Sequence, residues 1–193
     1  GASLFMALSA LVRMLLHRYT GERNLILGTP AAGRDHPALE TQVGLFVNLA
    51  ALRASVDPDA GFTSLLVDEA AAVQGALAHQ TYPFDRLIEE LGAARDPARS
   101  PLFDVLVALQ NVRQTDAALA GLRIGDMPVG TTAAKYDLTF EFAEHADGLL
   151  LNLAYSTTLV RDETARRIAG HLERLLEGVL ADPDRPVARL PLL

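Results

Sequence analysis

The sequence predicts an α/β fold, a mixed sheet with helices packed on it in an α/β sandwich, and three observations carry that prediction. Apolar residues recur at helical spacing in segments that alternate, early in the chain, with short apolar runs bounded by glycine and proline. Two runs of strict alternation flank Asp147-Gly148 and must pair antiparallel, so the sheet cannot be purely parallel. Half of the 193 residues are hydrophobic, enough to bury a core between layers.

Leu4, Leu8, Leu11 and Leu15 share a face, with Phe5, Val12 and Leu16 beside it, and predict a buried helix over 4–19 that stops at Gly21. Ser9 and Arg13 interrupt its apolar surface. Residues 24–29 form a short apolar strand, and 30–41, with two prolines and Gly33, a long loop. A second, nearly continuous apolar strand follows over 45–54. The next helix begins near Phe62 and turns Leu66, Val73 and Leu77 inward. Pro83 suits the first turn of a short helix that Gly92 ends, and the proline-rich stretch up to Pro101 is incompatible with regular helix. Residues 102–109 are a buried strand. In the hairpin, Leu138, Phe140 and Phe142 alternate with polar residues, as do Leu149, Leu151, Leu153 and Tyr155 after the turn. Asp162 then caps a helix whose Ile168, Leu172, Leu175 and Val179 lie on one side, and Pro183 closes it.

Seventeen Lys and Arg against 24 Asp and Glu leave a net charge of −7, and no block is basic, which argues against nucleic acid as a partner. The absence of cysteine removes disulfides, thiolate metal sites and a Cys nucleophile, and suits a cytoplasmic location. The apolar run 4–16 is too short to span a bilayer and has no positive segment before it, so no membrane association is expected.

Gly28-Thr29-Pro30-Ala31-Ala32-Gly33-Arg34-Asp35 has the glycine spacing of a phosphate-binding loop. However, Arg34 and Asp35 stand where Lys and Ser or Thr are needed, and Pro37 interrupts the helix that should follow. His17, His36, His79, His145 and His171 show no metal-ligand spacing, so no metal site is expected; His17 and His171, on helices beside arginines, are expected at solvated positions. No Gly-x-Ser-x-Gly elbow supports serine hydrolysis. Asn48 interrupts an otherwise apolar strand, and a buried carboxamide must find partners. Two readings of it stay open: a structural hydrogen bond, or an amide facing a cavity that meets substrate.

Three ordered stretches carry a family resemblance. Gly44, Phe46, Val47, Asn48 and Arg53 form the first, with Leu49 in place of the commoner Thr. His79, Gln80, Pro83, Phe84 and Asp85 form the second, Asp85 standing where Glu is frequent; Arg95, Asp96, Arg99, Pro101, Leu102 and Phe103 form the third. Together with Gly28 to Arg34 they resemble the downstream motifs of condensation domains of nonribosomal peptide synthetases, and the resemblance covers essentially the whole chain. Phe46-Val47-Asn48 resembles the amide-forming subtype rather than epimerisation or heterocyclisation domains.

That resemblance implies a chloramphenicol-acetyltransferase-like lobe. It implies a parent domain in which two such lobes form a V around a tunnel entered from opposite ends by the phosphopantetheine arms of donor and acceptor peptidyl carrier proteins. Asn48 is then a tunnel-wall candidate, residues 30–42 approximate the floor of the tunnel, and 93–106 the latch to the other lobe. The catalytic motif of the family, two adjacent histidines followed after three residues by Asp-Gly, is nowhere in the sequence. The chain is therefore expected to be the C-terminal subdomain, 1–193, of a condensation domain. It should have no catalytic residue of its own, no directly bound cofactor and no activity alone. Its partners would be the N-terminal lobe and the carrier proteins, and its exposed lobe interface would favour self-association. The rival expectation is a non-catalytic condensation-like module that recruits a carrier protein or a tailoring enzyme. A stand-alone acyltransferase using coenzyme A fits the motifs less well.

Overall fold

The computed structural model describes residues 1–92, 99–110, 133–145 and 147–192. Helix α1 (Leu4–Thr20) starts at Ser3, whose hydroxyl accepts from the Met6 N–H at 3.3 Å, and stops at Gly21, which takes the left-handed conformation (φ 75°) and donates to the His17 carbonyl. Strand β1 (Asn24–Ala31) leads through a loop with a 3₁₀ turn at Pro37–Leu39 to β2 (Asn48–Ser55). Helices α2 (Phe62–Ala78) and α3 (Phe84–Glu90), strands β3 (Val105–Gln110), β4 (Leu138–His145) and β5 (Gly148–Tyr155), and helix α4 (Asp162–Ala181) complete the order.

The sheet runs β2-β1-β3-β4-β5, with β1–β2 and β4–β5 antiparallel and β1–β3 and β3–β4 parallel, so the expected mixed sheet is observed. Alternation along each strand divides the core in two. One face packs Leu27, Leu52, Val107 and Phe140 under α1, α2 and α4. The other carries a smaller cluster of Phe84, Ile88, Phe103, Leu106 and Tyr136, with α3 the helix contributing to it.

Several local expectations change for identifiable reasons. Strand β1 continues through Pro30 because Val56 N–H donates to the Arg23 carbonyl, which puts Arg23, Leu25, Leu27, Thr29 and Ala31 in hydrogen-bonded pairs. Pro30 faces Leu49 in a pair that needs no N–H from it. Strand β2 begins at Asn48 rather than Leu45, since Ala31, the last residue of β1, already pairs with Asn48; Leu45 is left 92% exposed. Residues 102–104 precede β3 instead of joining it, and Phe103 turns onto Gly28.

Helix α2 buries Phe62, Leu65, Glu69 and Val73, while Leu77 is exposed and Leu66 only half-buried. The inward row runs through a charged residue that apolar spacing passes over, because Glu69 pairs with the equally buried Arg13 of α1. His17 is buried, its Nδ1 2.8 Å from the Glu22 carbonyl that the Gly21 turn folds back over it, and His171 is half-buried against the Tyr19 hydroxyl at 2.8 Å. Arg161 rather than Asp162 occupies the cap of α4; Asp162 opens the helix, accepting from the Tyr155 hydroxyl and pairing with Arg166 at 2.7 Å. Ile168, Leu172, Leu175 and Val179 lie buried on its inner side as expected.

Candidate functional site

Asn48 stands at the first position of β2, and its carboxamide makes three hydrogen bonds to the segment joining α2 to α3. Its Nδ2 donates to the carbonyls of Gln80 at 2.8 Å and Tyr82 at 2.7 Å, and its Oδ1 accepts from the Phe84 N–H at 3.2 Å. Both amide hydrogens are thereby used. The apolar strand and the polar-aromatic stretch, thirty-odd positions apart in sequence, are pinned together where the chain crosses from one face of the sheet to the other.

Pro83 caps α3 in the extended conformation, and Phe84 enters the smaller core, where its ring lies 5.4 Å from that of Phe103, which in turn lies 5.5 Å from that of Tyr136. Phe103 fits because β1 has a glycine beneath it: a Cβ on Gly28 would fall 2.0 Å from the ring. The glycine spacing that resembled a phosphate loop thus has a packing cause at Gly28, which lies inside a strand, and the element that follows Gly33 is a short 3₁₀ turn, not an α-helix. Gly33 (φ 64°) approaches the Phe46 carbonyl closely enough that a Cβ would sit 2.0 Å from it, and Arg34 lies over the Phe46 ring at 4.3 Å while donating to the Leu39 carbonyl. Loop 32–47 is held from within, with Val43, Leu45 and Val47 exposed on it.

A cavity of about 470 Å³ opens where these parts meet, lined by Leu49, Phe84, Asp85, Ile88, Arg99, Pro101, Asp104, Lys135, Tyr136 and Asp137. All three motif stretches contribute to it. Lys135, Tyr136 and Asp137, which the sequence reading passed over, complete it; the signal available was a charged-aromatic-charged triplet just before the alternation of β4. Burial holds the Asp137 carboxyl above its ordinary range, the neighbouring Asp104 adds to the rise, and Arg99 opposes it. A carboxyl whose folded pKa is raised destabilises the fold once ionised; that penalty is fully present above the raised pKa and vanishes as pH falls below the unfolded value. Asp137→Asn is therefore expected to raise the denaturation midpoint at neutral pH, with the gain over the parent chain closing as pH falls through the carboxylate range. A gain independent of pH would contradict this account.

Of the other motif residues, Gly44 lies in the loop, and Arg53 and His79 are exposed. Arg95 and Asp96 lie outside the described residues, as does all of 93–98, the first part of the stretch 93–106 expected to form the latch. Among the described residues no cluster of His, Cys, Asp and Glu is arranged to hold a metal ion, and no helix is long and apolar enough to cross a membrane.

The family profile of the condensation domain matches residues 1–193. The chain belongs to the condensation-domain family. It is 39% identical along its whole length to part of surfactin synthase subunit 1 of Bacillus subtilis (strain 168), of which it spans 5%. Its fold is similar to part of a crystal structure of a holo four-domain nonribosomal peptide synthetase bound to AMP and glycine, with a TM-score of 0.91 at 25% identity over 99% of this chain and 16% of that one. It also recurs in the teicoplanin X-domain in complex with OxyB, with a TM-score of 0.87 at 30% identity over all of this chain and 43% of that one. The mixed five-stranded sheet with its helices thus matches the fold of condensation-domain structures.

Proposed function

We propose that this chain is the C-terminal lobe of a condensation domain that forms an amide bond between a donor acyl or peptidyl thioester and an acceptor aminoacyl thioester, both held by phosphopantetheine arms of peptidyl carrier proteins. The observation that carries it is the convergence of the three motif stretches: Asn48 clamps residues 80–84, the Phe84 ring packs tilted against that of Phe103, and both stretches line one cavity with Arg99. In that reaction the acceptor amine attacks the donor thioester carbonyl, the C–S bond breaks, and a base removes the amine proton. The base belongs to the opposite lobe, since the paired-histidine motif is absent from this sequence. This lobe supplies a shaped wall, and Asn48 serves it as a positioning residue, its amide hydrogens committed to the main chain it holds in place.

Asn48→Ala in the full-length domain removes three hydrogen bonds, a loss of about 1–3 kcal/mol in the placement of 80–84. Peptide formation from two loaded carrier proteins is expected to slow roughly tenfold to a hundredfold, while the denaturation midpoint stays within the native range. Asn48→Asp, which keeps the acceptor but turns a carboxylate oxygen onto the Gln80 and Tyr82 carbonyls, should be at least as slow as Asn48→Ala. Unchanged turnover in Asn48→Ala would remove Asn48 from the wall. In the same assay the 193-residue chain alone is expected to form no product.

The likeness to the X-domain, whose structure was solved in complex with OxyB, favours a second reading: a condensation-like module that recruits a tailoring enzyme. Peptide formation by the parent domain separates the two.

A further inference from the structure

The sheet ends on β5, a strand whose one neighbour in the sheet is β4. The Ser156 N–H donates to the Asp137 carbonyl, and the register that carries this bond puts Gly148, Leu150, Asn152 and Ala154 in hydrogen-bonded pairs with β4. Leu149, Leu151, Leu153 and Tyr155 therefore turn their N–H and C=O groups away from the sheet, and among the described residues no backbone hydrogen bond outside the ladder reaches them. Sheet edges are ordinarily guarded by lysine, proline, a bulge or a covering element. Residues 148–155, Gly-Leu-Leu-Leu-Asn-Leu-Ala-Tyr, contain neither a charge nor a proline, pair with β4 at every position, and leave Leu149 and Leu150 exposed. The opposite edge is different, since residues 80–84 cross β2 at Asn48.

A row of outward N–H and C=O groups is complementary to another extended strand, and the sequence of β5 fits itself. Laid antiparallel about a twofold axis at Asn152, a second copy brings Leu151 opposite Leu153 and Leu149 opposite Tyr155. Every outward residue is then in a hydrogen-bonded pair, which makes about eight new bonds, within the range of a typical protein interface. Sliding one copy by a single permitted step, in either direction, leaves an end residue unpaired. The side chains select the same register. On the helix-covered face, shared with Phe140 and Phe142, leucine meets leucine or tyrosine. On the other face Leu150 meets Ala154, and Asn152 meets its own copy in a non-hydrogen-bonded pair, close enough for the two carboxamides to bond across the axis. The neighbouring registers set that carboxamide against Leu150 or Ala154 instead. Asn152 is exposed, and its hydrogen bond among the described residues is a long one, 3.5 Å to Glu141. Two chains of net charge −7 repel each other, but no charged side chain lies within β5, and salt screens the remainder beyond about 8 Å.

We infer that this chain pairs with a second copy of itself through the outer edge of β5, forming one continuous sheet across a twofold axis, and that Asn152 fixes the register. The contact is isologous and closes at two copies. It goes beyond the amide-forming reading and does not depend on it.

The test exploits a sequence without cysteine. Cα atoms of a non-hydrogen-bonded antiparallel pair lie about 4.5 Å apart, a separation that a disulfide spans. Asn152→Cys should therefore become a covalent dimer under mild oxidation. Leu150→Cys, displaced from its own copy by about 13 Å of strand, should not cross-link by itself but should do so when mixed with Ala154→Cys. In sedimentation equilibrium the parent chain should dimerise reversibly, and Asn152→Asp, which sets two carboxylates on the axis, should weaken the dimer roughly tenfold while the denaturation midpoint holds. A chain that stays monomeric at its highest soluble concentration, or Leu150→Cys cross-linking to itself as fast as Asn152→Cys, would overturn the inference. So would a dimer that Asn152→Asp leaves intact, which would put self-association on another surface.

Discussion

Replacing Glu69 with leucine is expected to destabilise the chain by about 3–5 kcal/mol, because it leaves the Arg13 guanidinium charged and unpaired in the core. Both side chains are fully buried, with Arg13 Nε 2.5 Å from Glu69 Oε2 and Nη2 3.2 Å from Oε1. Arg13 also donates to the carbonyls of Leu25 at 2.5 Å and Leu52 at 2.9 Å, so a single side chain of α1 ties α2 to the β1–β2 ladder. Domains of this size are stable by only about 5–15 kcal/mol, and the loss therefore threatens folding itself. The double variant Arg13→Met with Glu69→Leu should recover most of it, since Leu25 and Leu52 face their β1–β2 partners in hydrogen-bonded register and need not lose every donor. Urea denaturation of the two singles and the double measures this. A Glu69→Leu cost within error of a surface substitution would show that the pair contributes nothing to the fold.

The second large effect concerns the contact on which the candidate site is built. Phe103→Ala empties the centre of the Phe84–Phe103–Tyr136 cluster, an aromatic truncation in a residue only 4% exposed, and should cost about 3–5 kcal/mol. Gly28→Val forces the same ring off the strand and should cost about 1–3 kcal/mol, even though valine suits a strand better than glycine. Combined, the two should cost clearly less than their sum, because without the ring there is nothing for the new side chain to strike and it occupies part of the space vacated. Additive costs would mean that Gly28 is required for a reason other than the approach of Phe103.

Much of the architecture was legible because it rests on short-range periodicity. The α4 stripe, the hairpin about Gly148 and the helix ending at Gly21 each depend on residues within a few positions of one another, and each is present as read. The family resemblance was legible for a related reason: its motifs are runs of adjacent residues. What was misread depends on partners far away in sequence. Leu77, read as inward, is exposed on α2, while Glu69 is buried because it has a partner 56 positions upstream. Residues 45–47 read as strand from their apolar character, but a strand needs a neighbour, and β1 ends before it can supply one.

By itself, then, the sequence determined the fold class, the order of the elements and the family, since these follow from local spacing and contiguous motifs. Only the tertiary structure decided how the motif residues act. It turned the Asn48 carboxamide onto the main chain of 80–84 and laid Phe103 on Gly28. The physical reason is that hydrogen bonds and close packing join surfaces brought together by the chain's path through space, and no local pattern encodes which surfaces those are.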